Sequence, residues 1–434
     1  MILIVLSLVC AGCAGSCQTG STSPTGQKTS NGVVLIEPAL ASPQKIPGVV
    51  SWVLPDTPNG LHPTQVWFSI HGAPDNGMYI GASDHRTNSA LYRLDVAAET
   101  ITLVGDARSA SEAANNWKPG ETAEKFHMMP LHYKGRIYVA TTDYSLLDSG
   151  FQQKRGFHWY AYDIAAQQFL DLSAKEPGGV AGEHAAIMAT ALDEKKGLLY
   201  GLETPHGKLF QYDIARGVTK DLGRPDFLTR TYYNAGRYIW TDDEGRVYFT
   251  VAGIDYVICW DPLIGFQAKT DWTLRSEFFQ DKNIRIGQWS TDNMRCYLAD
   301  YEANIYLFNN RDKSFTWLGK GKGDSSHYKN GQAFRIRVFN VTADEKTIYF
   351  MNDDAAQFSL FEFDFATKQT RRLCALSEID PRLGGTRFYN RAGNDSWDAQ
   401  GRFYIASFGP ELQNSTEVIV TRIDPVLLKK HLGL

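Results

Sequence analysis

The sequence predicts an all-β chain folded as a seven-bladed β-propeller, and three observations predict it. An aromatic set between apolar residues recurs at Tyr79, Tyr138, Tyr200, Tyr248, Tyr297, Tyr349 and Tyr404, at intervals of 48 to 62 residues, the period of propeller blades rather than of helical repeats. After each, the next short strand ends in a polar stop: Asp95, Asp163, Asp213, Asp261, Asn309, Asp364 and Asp424. Apolar faces of 3.6-residue period are absent before the extreme C-terminus, whereas 38 glycines and frequent Asn and Asp turns suit hairpins. A chain of 434 residues could hold several ordinary domains, but a sevenfold repeat makes it one large disc.

Taken in order, residues 1–17 read as an export leader: a short apolar run that ends in small residues. Cys13 after Ala-Gly and Cys17 after Gly-Ser each resemble a bacterial lipoprotein acylation site. The expected location is therefore outside the cytoplasm, secreted, periplasmic or anchored at the outer membrane, with lipid as the membrane contact. Residues 18–31, rich in Ser, Thr, Gly and Gln, read as a flexible linker. The catalytic propeller is expected over 32–434. Its first strand, Val33 to Glu37, has no local partner, and after Asp424 too little chain remains for an outer strand. The N-terminal strand is thus expected to complete the last blade and close the ring.

The blades are expected near 65–105, 126–172, 184–222, 230–274, 285–319, 334–373 and 388–424. Blade two carries the longest insertion, Thr141 to His158, with Tyr144, Lys154, Arg155 and His158 in it. Long loops on a rigid scaffold are where function concentrates. Cys259, Cys296 and Cys374 sit among bulky apolar residues and read as buried thiols. The net charge of −4 provides no global field for nucleic acid, so an anionic ligand must be met by local Arg and His.

In a four-stranded antiparallel blade, the start of the first strand and the ends of the second and fourth lie at one mouth of the disc. His184 precedes the first strand of blade three, and His206 follows its second. Tyr256 stands in the equivalent turn of blade four, Arg275 where its fourth strand runs out, and His327 in the connection to blade six. Arg335, Arg337, Arg387 and Arg391 at the starts of blades six and seven add cations to a groove at that mouth. Any one histidine near a turn is more often a cap or a surface residue, but acid/base groups and cations gathered at one mouth are unusual for a scaffold.

The run GEHAAIMAT…GLLYGLETPHGKLFQYD, with His184 and His206 22 residues apart in one blade, resembles the seven-bladed propeller polysaccharide lyases that cleave ulvan; oligogalacturonate lyases share the propeller and use a divalent metal held by His. The resemblance implies β-elimination at a uronic acid, with His184, His206 and Tyr256 as acid/base groups. Arg275 would face the carboxylate, with Arg230 and Arg285 as competitors, and His327 and Arg335 would contact the substrate. It implies a monomer acting on an anionic, sulfated polysaccharide, with no cofactor needed for the chemistry and zinc in a structural role whose ligands the sequence does not map.

That chemistry has definite needs. Removing the proton beside a uronate carboxylate builds negative charge, which a guanidinium offsets through paired hydrogen bonds. A neutral imidazole accepts the proton, and a phenol or second imidazole protonates the leaving oxygen. The sequence has no phosphate loop and no GxSxG motif. A non-catalytic propeller that binds glycans or proteins is the alternative, and a hydrolase or lactonase with a carboxylate-held metal a third.

Overall fold

A computed structural model describes residues 46–143, 154–277, 282–321, 336–352, 359–383, 390–408 and 417–434, together with two short strands, Gln27–Lys28 and Val34–Leu35. Seven antiparallel blades follow one another around a ring, with blades six and seven joined by a short parallel pairing of their inner strands. Blade one uses Ile70–Ala73, Gly77–Ser83, Ser89–Asp95 and Thr100–Asp106; blade three uses Ala186–Asp193, Leu198–Thr204, Leu209–Asp213 and Val218–Asp221. Blades two, four, five and six repeat the plan between them and after them. All seven marker tyrosines lie on the second strand of their blade, where apolar neighbours on both faces pack against the adjacent blades. Tyr79, Tyr200, Tyr248 and Tyr404 are among the largest fully buried side chains.

The polar stops share one physical job. Asp95 accepts from the amides of Ala97 and Ala98, Asp213 from Ala215 and Arg216, Asn309 from Arg311, and Asp364 from Thr367, so each side chain closes the turn into the outer strand. Asp424, in the last blade, turns the same bonds on Val426 and Leu427 and caps the helix Pro425–His431.

The ring is closed by an N-terminal strand, as expected, but a different stretch does it. Val49–Val53 pairs antiparallel with Ile419–Ile423, outside Phe403–Phe408 and Asn390–Asn394 of blade seven. Val34–Leu35, from the segment expected to close the ring, pairs with Gln27–Lys28 instead. The physical reason lies in the side chains. Trp52 is buried with Leu54, Leu61, Val66 and Tyr92, its indole N–H donates to Glu99 O at 3.0 Å, and the Arg422 guanidinium lies 5.6 Å over its ring. Ser51 meets Thr421 at 2.9 Å on the opposite face. The more apolar Val33 to Glu37 run offers no such aromatic anchor.

The expected leader, and the linker apart from Gln27–Lys28, lie outside the described residues, as does most of the blade-two insertion, Tyr144 included. Cys259, Cys296 and Cys374 are buried free thiols, and burial pushes Cys259 up to about 12.

Candidate functional site at the upper mouth

The mouth where first strands begin is here called the upper one. There, the inner strands of blades three, five and six each break register by one residue, between Ile187 and Ala189, Ile284 and Ile286, and Ile336 and Val338. The residues so displaced are Met188, Arg285 and Arg337. A bulge re-aims its side chain, and Arg285 shows where to. Its guanidinium lies 4.5 Å from the ring centre of Phe68 and 4.4 Å from that of Tyr301, whose hydroxyl it also contacts. Phe68 belongs to the approach to blade one and Arg285 to blade five, which are not neighbours, so this contact crosses the central channel.

Three further groups join it. His127, ahead of blade two's second strand, donates through Nδ1 to Met188 O at 3.0 Å and stacks on Trp67 with ring centres 5.7 Å apart. Burial, reinforced by Arg237, Lys125 and Arg285, holds its imidazole well below the usual range and therefore neutral. The buried Arg237 donates to Asn234 Oδ1 and Ala235 O, both at 2.8 Å. Lys125 lies 5.0 Å over Trp67 and donates to His85 Nε2 at 3.0 Å; burial and that ammonium bring His85 down to about 3. The throat of the channel is thus a set of guanidinium and ammonium groups laid on aromatic faces, the arrangement suited to a carboxylate or sulfate.

Around this throat stand the residues singled out in the sequence. His206 is oriented by Glu203, a fully buried carboxylate that accepts from its Nδ1 at 2.8 Å and from its backbone N–H at 3.0 Å. The ring tilts toward the exposed Tyr232, 5.9 Å away. Tyr256 is half-buried beside Tyr233, against the core, and burial raises its phenol above the usual value, with Asp255 and Tyr233 adding to the shift. His184 is half-exposed at φ +52°, with its Nδ1 donating to Lys154 O at 2.6 Å and its N–H to Arg155 O at 3.1 Å. In His127, His184 and His206 alike, Nδ1 is the ring nitrogen bonded to a protein oxygen, and His184 Nε2 lies 3.8 Å from Glu183 Oε1.

His206, Tyr232, Tyr233 and Tyr256 form one corner between blades three and four. His184 stands apart from it, on the strap between blades two and three. Arg275 is displaced from the throat: it is exposed at the end of blade four's outer strand, its guanidinium stacked 4.5 Å over Trp317 on the outer strand of blade five and its N–H bonded to Tyr306. Its competitor Arg285 is the one that reaches the channel; Arg230 lies at the exposed edge of the His206 corner, its N–H bonded to Tyr233 Oη. His327, Arg335 and Arg387 lie outside the described residues, and of Arg391 only the backbone is described. The sequence reading missed His127, Lys125 and Arg237. A signal was present for His127 and Arg237: 11 or 12 residues before the marker tyrosine, four blades hold His127, Arg237, Arg285 and Arg337.

No family model and no curated protein matches the sequence. Solved structures do. A streptogramin B lyase matches with TM-score 0.54 at 9% identity, over 87% of this chain and 97% of that one. The chain is a seven-bladed propeller. An oligogalacturonate lyase in complex with manganese matches with TM-score 0.53 at 11% identity, over 91% and 98%, and the WD40 repeats of RRP9 with TM-score 0.50 at 11%, over 90% and 100%. Identities this low carry the fold alone. Manganese belongs to that neighbour; among the described residues no three His, Cys, Asp or Glu side chains form a metal-holding group, and His127, His184 and His206 are each tied to a different protein oxygen.

Proposed function

We propose that the protein is an exported polysaccharide lyase, cleaving a uronate-containing, sulfated ulvan-type polymer by β-elimination at the upper mouth. The observation that carries the reading is the throat: the Arg285 guanidinium and the Lys125 ammonium fixed on aromatic faces, with histidines whose Nδ1 is anchored standing around them. A uronate carboxylate seated against Arg285 and Arg237 shares the charge that grows as the C5 proton leaves. The base, an imidazole Nε2 of His184 or His206, takes that proton. The C5–H electrons form the C4–C5 double bond, the C4–O bond breaks, and Tyr256, or the other histidine when its Nε2 also carries a proton, protonates the departing oxygen. The buried rise in Tyr256 keeps its phenol protonated through the neutral range, as a general acid requires.

The test is incubation with ulvan and a panel of other uronate polymers, following the absorbance of the unsaturated uronate product. A rise with at least one polymer, slowed about 100-fold in Arg285→Met, supports the reading; no rise with any of them overturns it. One observation favours a second reading, a non-catalytic glycan-binding propeller: His184 is tied to the strap between blades two and three, whereas His206 is held by Glu203 in the corner between blades three and four. That reading expects the polymer to be retained without scission and retention to survive His206→Gln.

A further inference from the structure

Residues Lys154 to His158 run across the upper mouth of blade two as a strap, and Gly156–Phe157 within it pairs with Gly182–Glu183 ahead of blade three. Each polar side chain of the strap is clamped by carboxylates. Lys154 Nζ donates to Thr122 Oγ1 at 2.8 Å and lies 3.3 Å from Glu124 and 3.4 Å from Asp143. Arg155 donates to both oxygens of Glu121 at 3.0 Å, and to Asn116 and Gly178 O. His158, 3% exposed, donates from Nδ1 to Asp171 at 3.1 Å and from Nε2 to Glu121 at 3.0 Å. With a carboxylate on each ring nitrogen, both nitrogens must carry hydrogen, so His158 is an imidazolium.

Two glycines let the strap lie so close. A Cβ on Gly179 would stand 2.1 Å from Arg155 Nη2, and one on Gly156 2.1 Å from Gly182 O. The strap in turn offers its backbone to His184, whose Nδ1 and N–H bond the carbonyls of Lys154 and Arg155. We propose that His158, locked between Asp171 and Glu121, is a positioning residue for His184: it fixes the strap, so that Lys154 O anchors Nδ1 of His184 and sets where its Nε2 stands, 3.8 Å from Glu183 Oε1. The inference rests on His184 being a residue of the proposed site.

The groups facing His158 from each neighbouring element agree with this. Asp171 at the end of blade two's outer strand also accepts from Ser111 on the helix Ala107–Ala113 at 2.7 Å and from Asn116 at 2.8 Å; Glu121 is shared with Arg155; and Tyr160 stacks on the imidazole at 5.8 Å. Burial works against the imidazolium, but the bonds and charges of Asp171 and Glu121 outweigh it and raise its pKa, while both carboxylates are held below their usual range. The sign follows. The histidine's contribution is complete below its unfolded value, about 6.5, and is lost as pH rises through its raised folded value; the carboxylates' is lost only in acid. The strap's lock is therefore complete below about pH 6.5 and loosens as pH rises through the raised value of His158.

The test reads the imidazole nitrogens of the full chain by two-bond ¹⁵N–¹H spectra, with His184 assigned from His184→Gln. In the wild type His184 is expected as the Nδ1–H tautomer near pH 7.5. In His158→Gln it should show the averaged tautomers of a free imidazole, and on a cleaved polymer kcat should fall about 10- to 100-fold with KM nearly unchanged. A folded His158→Gln protein whose His184 keeps the Nδ1–H tautomer overturns the proposal; should that variant not fold, Arg155→Gln decides by the same spectra. A shifted tautomer in a protein inactive on every uronate polymer sinks the lyase reading and leaves the strap standing.

Discussion

The two mouths of the ring are built on opposite principles. At the lower one, a cavity of about 980 Å³ is lined by Asp242, Asp292, Asp398 and several tryptophans, and by composition it looks like a site. Yet the repeat itself occupies those acids. Tyr248 donates to Asp242 at 3.0 Å beside Arg246 at 2.8 Å, and Tyr404 to Asp398 at 2.9 Å beside Arg402 at 2.7 Å. Tyr79 does the same to Asp75 with Arg93, and Tyr297 reaches Glu345 with Arg295. What recurs from blade to blade at this mouth is framework. At the upper mouth the corresponding positions diverge, to His127 in one blade, Met188 in another and arginines in three, and the groups that diverge are the ones suited to chemistry.

The largest expected effect concerns the closure on which both mouths depend. Deleting residues 46–54 removes Trp52 and the whole outer strand of blade seven and should abolish cooperative thermal unfolding, whereas deleting 31–40 should leave the transition in place. Next comes Asp242→Ala at the lower mouth, which strands Arg246 and Tyr248 and should cost about 3 kcal/mol in a urea titration without changing turnover on a cleaved polymer. A loss of turnover there would break the contrast between the mouths. Arg285→Met should do the reverse, lowering kcat/KM about 100-fold with a smaller shift in the urea midpoint than Asp242→Ala. Tyr256→Phe should lower kcat about 10-fold. Because burial raises that phenol, an alkaline fall in wild-type activity that belongs to Tyr256 should appear only above about pH 10 and vanish in the variant. The smallest effect is Tyr404→Phe, about 1 kcal/mol of stability, read in the same urea titration.

The sequence showed the framework because the framework repeats. Seven tyrosines and seven turn-closing polar residues announce themselves by period, and each does one local job. The closing strand was harder. Val33 to Glu37 is the more apolar stretch, but which strand docks is decided by Trp52, Ser51 and their partners 370 residues away, and no local pattern encodes that. Toward the upper mouth, the sequence placed His206 by its position after the second strand of blade three, while the buried Glu203 that orients it shows only in the structure. Arg275 and Arg285 could not be separated by spacing, since a one-residue bulge at Arg285, invisible in composition, sends one across the channel while the other stacks on Trp317. His127 escaped notice because its neighbours Trp67, Arg237 and Arg285 come from three other blades.

The strand that closes the ring also fixes how the disc responds to being pulled. Val49, where the chain enters blade seven, faces Ile423, and the next residue, Asp424, donates its N–H to Gly48 O at 2.8 Å while its carboxylate caps the terminal helix. Tension on the segment before Val49 therefore arrives at a latch made of Gly48 and Asp424, with five residue pairs of one strand pairing behind it. A protein tethered through residues 1–45 would carry its load there first, and a protease cut between Leu54 and Gln65 would leave the sequence almost whole but turn the ring into an arc that can open.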